Sequence, residues 1–304
     1  MKRKNDKKKL AVISAVIGTC IFATAAFANY QTANGYDVFK KGVFSLADYK
    51  RYELKTSLTF DFDGERISSA DMEMQCDTEN EVRHSKERSK SFGEAEYVSE
   101  TWYQDGKFIF GDCDSNFYQG YNSTFDGENP IVPTFSQNEK TNARVMKFVE
   151  LLADTFVGDL RNNFICVEDG ENEDVYEISL SAIQIPELAN AGLSALFAVQ
   201  NETYSERNLD DADESDMVFI KMGDDPYVEN AKCRFTVDGE NRLKNVDINI
   251  LFVGADENGA RHEMSVGMSG EIHDIDSVQK LDTDSVKVRF IDDEPEATEE
   301  EYED

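Results

Sequence analysis

The sequence predicts an α+β fold in which about three helices cover the concave side of a curved antiparallel β-sheet. Two long stretches, residues 52–76 and 233–268, alternate apolar and polar side chains with the period of two that is typical of strands. Apolar residues at helical spacing precede the first stretch and also lie between the two. With 304 residues, 40% of them hydrophobic, the chain can bury a substantial core. We therefore expect one α+β domain over residues 35–291.

The domain begins with a predicted helix over about residues 35–48. Four apolar residues there recur at helical spacing, namely Tyr36, Phe39, Val43 and Leu46. Such a stripe indicates a helix with one face against the core.

A regular hairpin follows the helix. The even-numbered positions of residues 52–62 form the mostly apolar face of a strand. After a turn, the even-numbered positions of residues 70–76 form the apolar face of a second strand. A loop of three residues, 63–65, would place both apolar faces on one side and set Leu58 opposite Ala70. The pattern therefore predicts a bulged three-residue hairpin.

A second hairpin is predicted where Asp105 and Gly106 stand between two aromatic strands, because this pair favours a two-residue turn. Such a turn places Trp102 opposite Ile109. The polar residues 80–91 before it fit either a solvated edge strand or a loop. Residues 114–137 after it, rich in Asn, Gly and Pro, predict a long irregular connection.

The middle of the chain predicts two helices, over about residues 139–158 and 186–199, because apolar residues recur there at helical spacing. Two short strands, near residues 164–167 and 175–180, separate them. Residues 201–216 turn acidic and indicate a loop or flexible insert. This run lacks the glycine and the terminal glutamate of a calcium-binding EF-hand loop.

The last third of the domain predicts further strands. A five-residue loop over residues 255–259 would place Phe252 opposite His262 and Ile250 opposite Met264. Residues 272–288 form a plausible final edge segment. Nine of the thirteen residues in 292–304 are acidic, so we expect a disordered tail there.

The charge of the chain excludes one class of partner. The first 28 residues hold six of the 31 basic side chains and one of the 62 acidic ones, so residues 29–304 carry 25 and 61, a formal charge of −36. A surface of that sign repels nucleic-acid phosphates and anionic lipid headgroups. We expect no nucleic-acid binding, whereas an envelope protein remains a possible partner.

The N-terminus predicts export. Six basic residues precede an uncharged run, residues 10–28, which is 19 residues long and ends in Ala-Phe-Ala. This order is typical of a cleaved signal peptide, and the run is also long enough to remain as a transmembrane anchor that contacts the cytoplasmic membrane. Residues 29–34 would then be a linker. In both cases the domain is extracytoplasmic, either secreted or anchored.

Four cysteines remain in the exported part: Cys76, Cys113, Cys166 and Cys233. None of them is spaced as a zinc knuckle or a redox motif. Cys76 and Cys233 fall on apolar strand faces, where a free thiol packs as a small hydrophobe. Packed thiols and one or two disulfides both remain open.

The order of elements resembles the outer-membrane lipoprotein carrier superfamily, which shares its half-barrel with mycobacterial lipoprotein lipid carriers. The resemblance covers most of residues 35–275 and is carried by the helix at residues 36–39, the alternating strands from Tyr52 and the ribbon at residues 102–107. It implies a half-barrel whose concave face binds acyl chains or other apolar ligands. The basic start and acidic domain also resemble uncharacterised surface proteins of clostridia-type bacteria.

No catalytic or metal-binding constellation stands out. His84, His262 and His273 each lack a second histidine or cysteine at metal-ligand spacing. Ser269 lacks the Gly-x-Ser-x-Gly elbow of a nucleophile. Acidic residues are so abundant that paired carboxylates carry no information about glycosidase chemistry. We expect a protein that is not an enzyme and that uses no cofactor or metal.

The candidate ligand-binding residues are apolar side chains on predicted strand faces: Leu54, Leu58, Phe60, Met72, Met74, Ile250, Met264 and Met268. Methionine side chains adapt readily to lipid tails, so the set predicts a soft pocket beneath the helices. The same residues also fit ordinary core packing. The sequence thus favours an extracytoplasmic binding protein for an apolar small molecule or lipid, with a membrane-anchored sensory or interaction domain of an envelope regulatory protein as the alternative.

Overall fold

The computed structural model describes residues 34–91, 93–112, 117–125, 163–205 and 214–291, together with positions 144 and 147. The described residues form twelve strands: β1 (Arg51–Phe62), β2 (Glu65–Asp77), β3 (Val82–Ser91), β4 (Tyr97–Gln104), β5 (Lys107–Asp112), β6 (Phe117–Asn122), β7 (Ile165–Asp169), β8 (Glu173–Ser181), β9 (Tyr227–Asp238), β10 (Leu243–Ala255), β11 (Arg261–Asp274) and β12 (Lys287–Ile291).

All twelve strands join in one open, curved sheet with the order β12-β6-β5-β4-β3-β2-β1-β11-β10-β9-β8-β7. Neighbouring strands are antiparallel throughout, except that β12 runs parallel to β6. The fold is therefore mostly β, as the two alternating stretches predict.

Three α-helices occur among the described residues: α1 (Asn34–Ser45), α2 (Glu187–Ser205) and α3 (Glu214–Met222). The structure confirms α1, which continues as a 3₁₀ turn at Leu46–Asp48, and α2, which begins just after Pro186. The expected loop at residues 201–216 was wrong at both ends, because α2 continues to Ser205 and α3 begins at Glu214; residues 206–213 lie outside the described residues. Of the predicted helix at residues 139–158 the structure describes only positions 144 and 147, both of which are helical. The N-terminal segment and the acidic tail lie outside the described residues.

The hairpin of β1 and β2 keeps the predicted register, with Leu58 opposite Ala70. The extra residue, however, is not in the turn. Asp63 and Gly64 form a two-residue turn, both with positive φ, and Ile67 is the bulged residue that shifts the register beside Phe60. Asp tolerates this left-handed conformation and Gly adopts it without a steric penalty, so the tight turn is favoured.

The aromatic hairpin of β4 and β5 is confirmed, with Trp102 opposite Ile109 and Asp105 and Gly106 in the turn. Two expectations around it were wrong. The polar strand β3 lies inside the sheet, between β2 and β4, and β6 forms within the expected irregular connection. Opposite charges on the neighbouring strands accommodate part of this polarity, since Lys86 faces Glu73 and Glu100, and Arg88 faces Asp71.

The register predicted for β10 and β11 was wrong by two residues. Phe252 lies opposite Met264, and Gly254 lies opposite His262. The loop has five residues, as expected, but it begins at Asp256, whose carboxylate accepts the backbone N–H groups of Asn258 and Ala260. This local capping positions the turn one residue later than the alternation of apolar residues indicates. The predicted edge segment is confirmed in part, since β12 forms one edge of the sheet.

The sheet has two chemically distinct faces. The helix face carries Leu54, Leu58 and Phe60 of β1 and packs against all three helices over β8 to β11. The polar face carries the intervening Glu53 and Lys55. The largest buried cluster lies between the helices and the helix face, where Phe39, Phe197, Met222 and Phe235 are among its members.

A further segment, residues 275–286, crosses the polar face from β11 to β12; we call it the crossing segment. Its Leu281 and Val286 pack with Val288 against Trp102, Ile109 and Tyr118. The side-chain amide of Gln104 donates to the carbonyl of Leu281 at 3.0 Å and accepts its N–H at 2.8 Å. The crossing segment thereby attaches the end of the chain to β4 and β5.

Candidate functional site

All eight predicted ligand-binding residues lie on the helix face. The strand registers show this directly, since Leu54 pairs with Met74, Leu58 with Met268, and Phe252 with Met264. Their common face follows from the period of two along each strand. The structure thus places the candidate set on one side of the sheet.

The set is nevertheless divided between two buried clusters. Phe60, Ile250 and Met264 belong to the main core beneath the helices. Leu54 and Met74 belong to a second cluster that also contains Tyr49, Tyr52, Cys76 and Ile272. All five are at most 9% exposed, so each packs as core in the part of the chain that the structure describes.

The remaining three residues, Leu58, Met72 and Met268, are only half-buried and form what we call the central strip. Leu58 lies between Ala70 of β2 and Met268 of β11. Leu58 and Met268 border the main core, whereas Met72 borders the second cluster. The central strip is therefore a partly accessible apolar surface that joins two filled cores.

The main core holds one small apolar cavity lined by described residues. It lies beside Phe39, Phe164 and Cys233 and has a volume of about 10 Å³. That volume holds about one water molecule, so this cavity is too small for a ligand of lipid size.

The polar face carries a feature that the sequence analysis missed. Five side chains from neighbouring strands β4, β3, β2, β1 and β11 stand side by side with alternating charge: Glu100, Lys86, Glu73, Lys55 and Glu271. We call this row the charge ladder. An open cleft of about 590 Å³ lies over its centre. The alternating charges within β1, β2 and β3 were visible in the sequence, but their lateral alignment requires the registers.

Neighbouring carboxylates stabilise the ladder's cations. The ammonium of Lys55 lies 3.1 Å from a carboxylate oxygen of Glu53, which raises the pKa of Lys55. The amide of Gln75 donates to the other oxygen of Glu53 at 2.9 Å and lowers the pKa of that carboxyl. The Lys55 side chain is 47% exposed, so its ion pair contributes little to stability by itself. The bond from Gln75 to Glu53 is partly buried.

The three histidines occupy separate places. His84 stacks on Trp102 with ring centroids 4.9 Å apart, and its burial lowers the pKa of the imidazole. His262 contacts Asp63, and His273 contacts Glu53. Among the described residues, no group of three His, Cys, Asp or Glu side chains is arranged to hold a metal ion.

The structure describes three of the four cysteines of the exported part. Cys76 and Cys233 are buried thiols outside any disulfide, as their strand positions indicate, and Cys166 is an exposed thiol on β7. Cys113 lies outside the described residues. None of the three described cysteines is in a disulfide with another.

No helix among the described residues combines the length and the apolar composition needed to cross a membrane. The apolar run at residues 10–28 lies outside the described residues.

Comparisons with known proteins assign no family. No family model matches the chain, and no curated protein matches it. Among solved structures, a DUF1329 family protein from Desulfovibrio piger aligns with 81% of this chain and 93% of its own, at 7% identity and a TM-score of 0.21. A fusion DH domain aligns with 79% of this chain and 77% of its own, at 12% identity and a TM-score of 0.13. TM-scores of this size carry no conclusion about activity or ligand.

Proposed function

We propose that this chain is a non-enzymatic extracytoplasmic binding protein that holds an apolar ligand or lipid on the helix face of its sheet. In this proposal the open sheet is a half-barrel, the helices cover its concave side, and the ligand lies against the central strip.

The observation that carries the proposal is the partial exposure of Leu58, Met72 and Met268 between two buried clusters. Apolar side chains at the centre of a large sheet are ordinarily covered on the core side. These three remain half-buried in the described structure and lie near one another on β2, β1 and β11, with Met268 directly opposite Leu58 and Met72 diagonal to it. An apolar surface of this kind binds apolar groups because covering it removes it from water.

The chemistry of the strip favours a flexible apolar ligand. Two of its three side chains are methionines, whose unbranched thioethers adapt to irregular apolar shapes. Its lateral neighbour Ala70, opposite Leu58, is small. An acyl chain fits this surface better than a charged or rigid ligand.

The test is native mass spectrometry of residues 29–304 purified from the protein's own host, followed by organic extraction. This chain contains every element of the described fold. We expect a co-purifying acyl species that is lost in Leu58→Asp, because a carboxylate on the strip opposes burial of an apolar chain.

Ser57→Asp is the matched control. Ser57 neighbours Leu58 on the same strand, is also half-buried, and points to the polar face. We expect this variant to retain the acyl species. An empty wild-type protein that also fails to take up a fluorescent fatty acid would overturn the proposal, and so would a ligand that both variants retain.

The extracytoplasmic location belongs to the same proposal and rests on the basic start and the apolar run of residues 10–28. N-terminal sequencing of the protein from its host membrane and culture medium tests it. A mature N-terminus at Asn29 in the medium indicates a secreted carrier, whereas an intact N-terminus in the membrane indicates the anchored alternative. Recovery of the intact chain from the cytoplasm would contradict both.

A further inference from the structure

The two edges of the sheet, β7 and β12, differ in charge. β7 ends in Glu168 and Asp169 and exposes the apolar side chains of Ile165 and Val167, which are 60% and 45% exposed. No described strand pairs with its outer side. An edge strand of this kind offers unpaired backbone groups to a further strand.

The opposite edge strand is basic, and the acidic residues 292–304 follow it in the sequence. β12 carries Lys287 and Arg289 and exposes the ring of Phe290, over which the ammonium of Lys107 lies at 4.5 Å. Here too, no described strand pairs with the outer side. Each edge strand has five residues. One chain therefore presents both an acidic and a basic edge of the same length.

The topology also makes the two edges geometrically compatible. Eleven strand pairs separate β12 from β7 across the sheet, of which ten are antiparallel and one is parallel, so β12 and β7 run in the same direction. A second copy that extends the sheet would place its β12 parallel to β7, with the two faces of the sheet continuous.

The same argument places the charges on one face. Side chains of residues directly opposite each other on neighbouring strands point to the same face. Asp169 lies opposite Asp174, and Asp174 lies opposite Val237, which is on the helix face. Arg289 lies opposite Gln119, Gln119 lies opposite Phe110, and Phe110 lies opposite Thr101, which is on the same face. Asp169 and Arg289 therefore lie on the same face of a sheet continued from one copy into the next, where a parallel register that sets Asp169 opposite Arg289 would pair an acidic with a basic side chain.

We propose that copies of this chain associate head to tail, with the β7 edge of one copy against the β12 edge of the next. Charges on edge strands ordinarily oppose association, because two identical edges repel each other. Pairing of β7 with β7, or of β12 with β12, meets that repulsion, whereas pairing of β7 with β12 is attractive. Such a heterologous contact does not close on itself at two copies.

The experiment is sedimentation velocity of residues 29–304 over a range of concentrations at near-physiological ionic strength. Residues 29–304 carry a formal charge of −36, which repels a second copy at long range. Salt at that strength screens charges farther apart than about 8 Å and leaves contact pairs less affected. We expect the mean mass to rise with concentration and to pass beyond that of a dimer.

Charge reversal tests the geometry. Asp169→Lys and Arg289→Glu alone are each expected to weaken association about tenfold, as cross-strand attraction becomes repulsion. The double variant with both changes in one chain is expected to associate as the wild type does. Glu229→Lys is the control, because Glu229 lies on β9, away from both edges.

Each other outcome identifies a different arrangement. A wild-type chain that stays monomeric at all concentrations would overturn the proposal. Association that stops at the dimer and responds to Asp169→Lys but not to Arg289→Glu would indicate a twofold contact between two β7 edges. Failure of the double variant to recover association, when both single variants lose it, would exclude a contact between residues 169 and 289.

Discussion

The Nδ1 atom of His262 lies 2.8 Å from an Oδ atom of Asp63 and joins the turn of the first hairpin to the start of β11. Asp63 also accepts the backbone N–H of Glu263 at 2.9 Å. The ring of His262 stacks on Phe62, with centroids 5.4 Å apart. At this end of the β1–β11 pairing, the Asp63 carboxylate thus adds two contacts to the backbone hydrogen bond from the Asp63 N–H to the carbonyl of Glu263.

Replacing Asp63 by Asn is expected to lower the free energy of unfolding by about 0.5–1 kcal/mol at neutral pH, because the pair is partly exposed and screened. Asn tolerates the positive φ of this position, so the change isolates the charge. Urea denaturation measures the effect. Glu65→Gln, an exposed change beside the same turn, is expected to alter stability by less than about 0.5 kcal/mol.

The contribution of Asp63 should disappear in acid. Burial by itself raises the pKa of Asp63, but the hydrogen bonds from Glu263 and His262 outweigh it and lower that pKa below the ordinary value of 3.8. Because the pKa is lower in the folded state, this stabilisation is present above that value and is lost as the pH falls below it. The stabilities of wild type and Asp63→Asn should therefore converge in acid, and a constant difference down to pH 2 would contradict this account.

Gln104 should control the crossing segment. It is 5% exposed and makes both backbone hydrogen bonds to Leu281. Gln104→Ala leaves the backbone N–H and carbonyl of Leu281 without these hydrogen bonds, and we expect it to lower the free energy of unfolding by about 1–3 kcal/mol. Hydrogen exchange should show faster exchange of residues 281–291 than in the wild type. Gln279→Ala is the control. It retains the backbone N–H of residue 279, which donates to the side-chain oxygen of Gln75, so we expect the exchange of residues 281–291 to stay unchanged.

Gly254 should tolerate no side chain. A Cβ atom at this position of β10 would overlap the carbonyl oxygen of Met222, where the end of α3 packs against the sheet. Gly254→Ala is therefore expected to destabilise the fold by about 1–3 kcal/mol, since the backbone must move. Gly239→Ala has open space around the new atom and is expected to change stability by less than about 0.5 kcal/mol. Equal stability of the two variants in thermal unfolding would refute this packing of α3.

The described cysteines should differ in reactivity. Burial raises the pKa of Cys233 to about 12, and the thiolate is the reactive form. Cys76 is equally buried, whereas Cys166 is exposed on β7. Alkylation of the folded protein followed by peptide mass spectrometry should label Cys166 well before Cys76 and Cys233. In urea all three should react, and early labelling of Cys233 without urea would show that its strand opens.

The sequence by itself determined the strand alternation, the helices α1 and α2, and the two hairpins whose turns are encoded locally. Alternation is a property of the extended backbone, and Asp-Gly pairs adopt the two-residue turn through their own conformational preferences. For the same reason each of the eight candidate residues could be assigned to the apolar face of its own strand, whereas the common face follows from the pairing of β1 with β11.

Only the tertiary structure decided which of those eight residues are core and which form the central strip. Leu58 and Leu54 have the same pattern in the sequence, but helices and neighbouring strands cover them to different extents. The charge ladder, the crossing segment and the opposite charges of the two edges likewise depend on which strands become neighbours. Strand order is set by contacts between residues far apart in the chain, which no local period encodes.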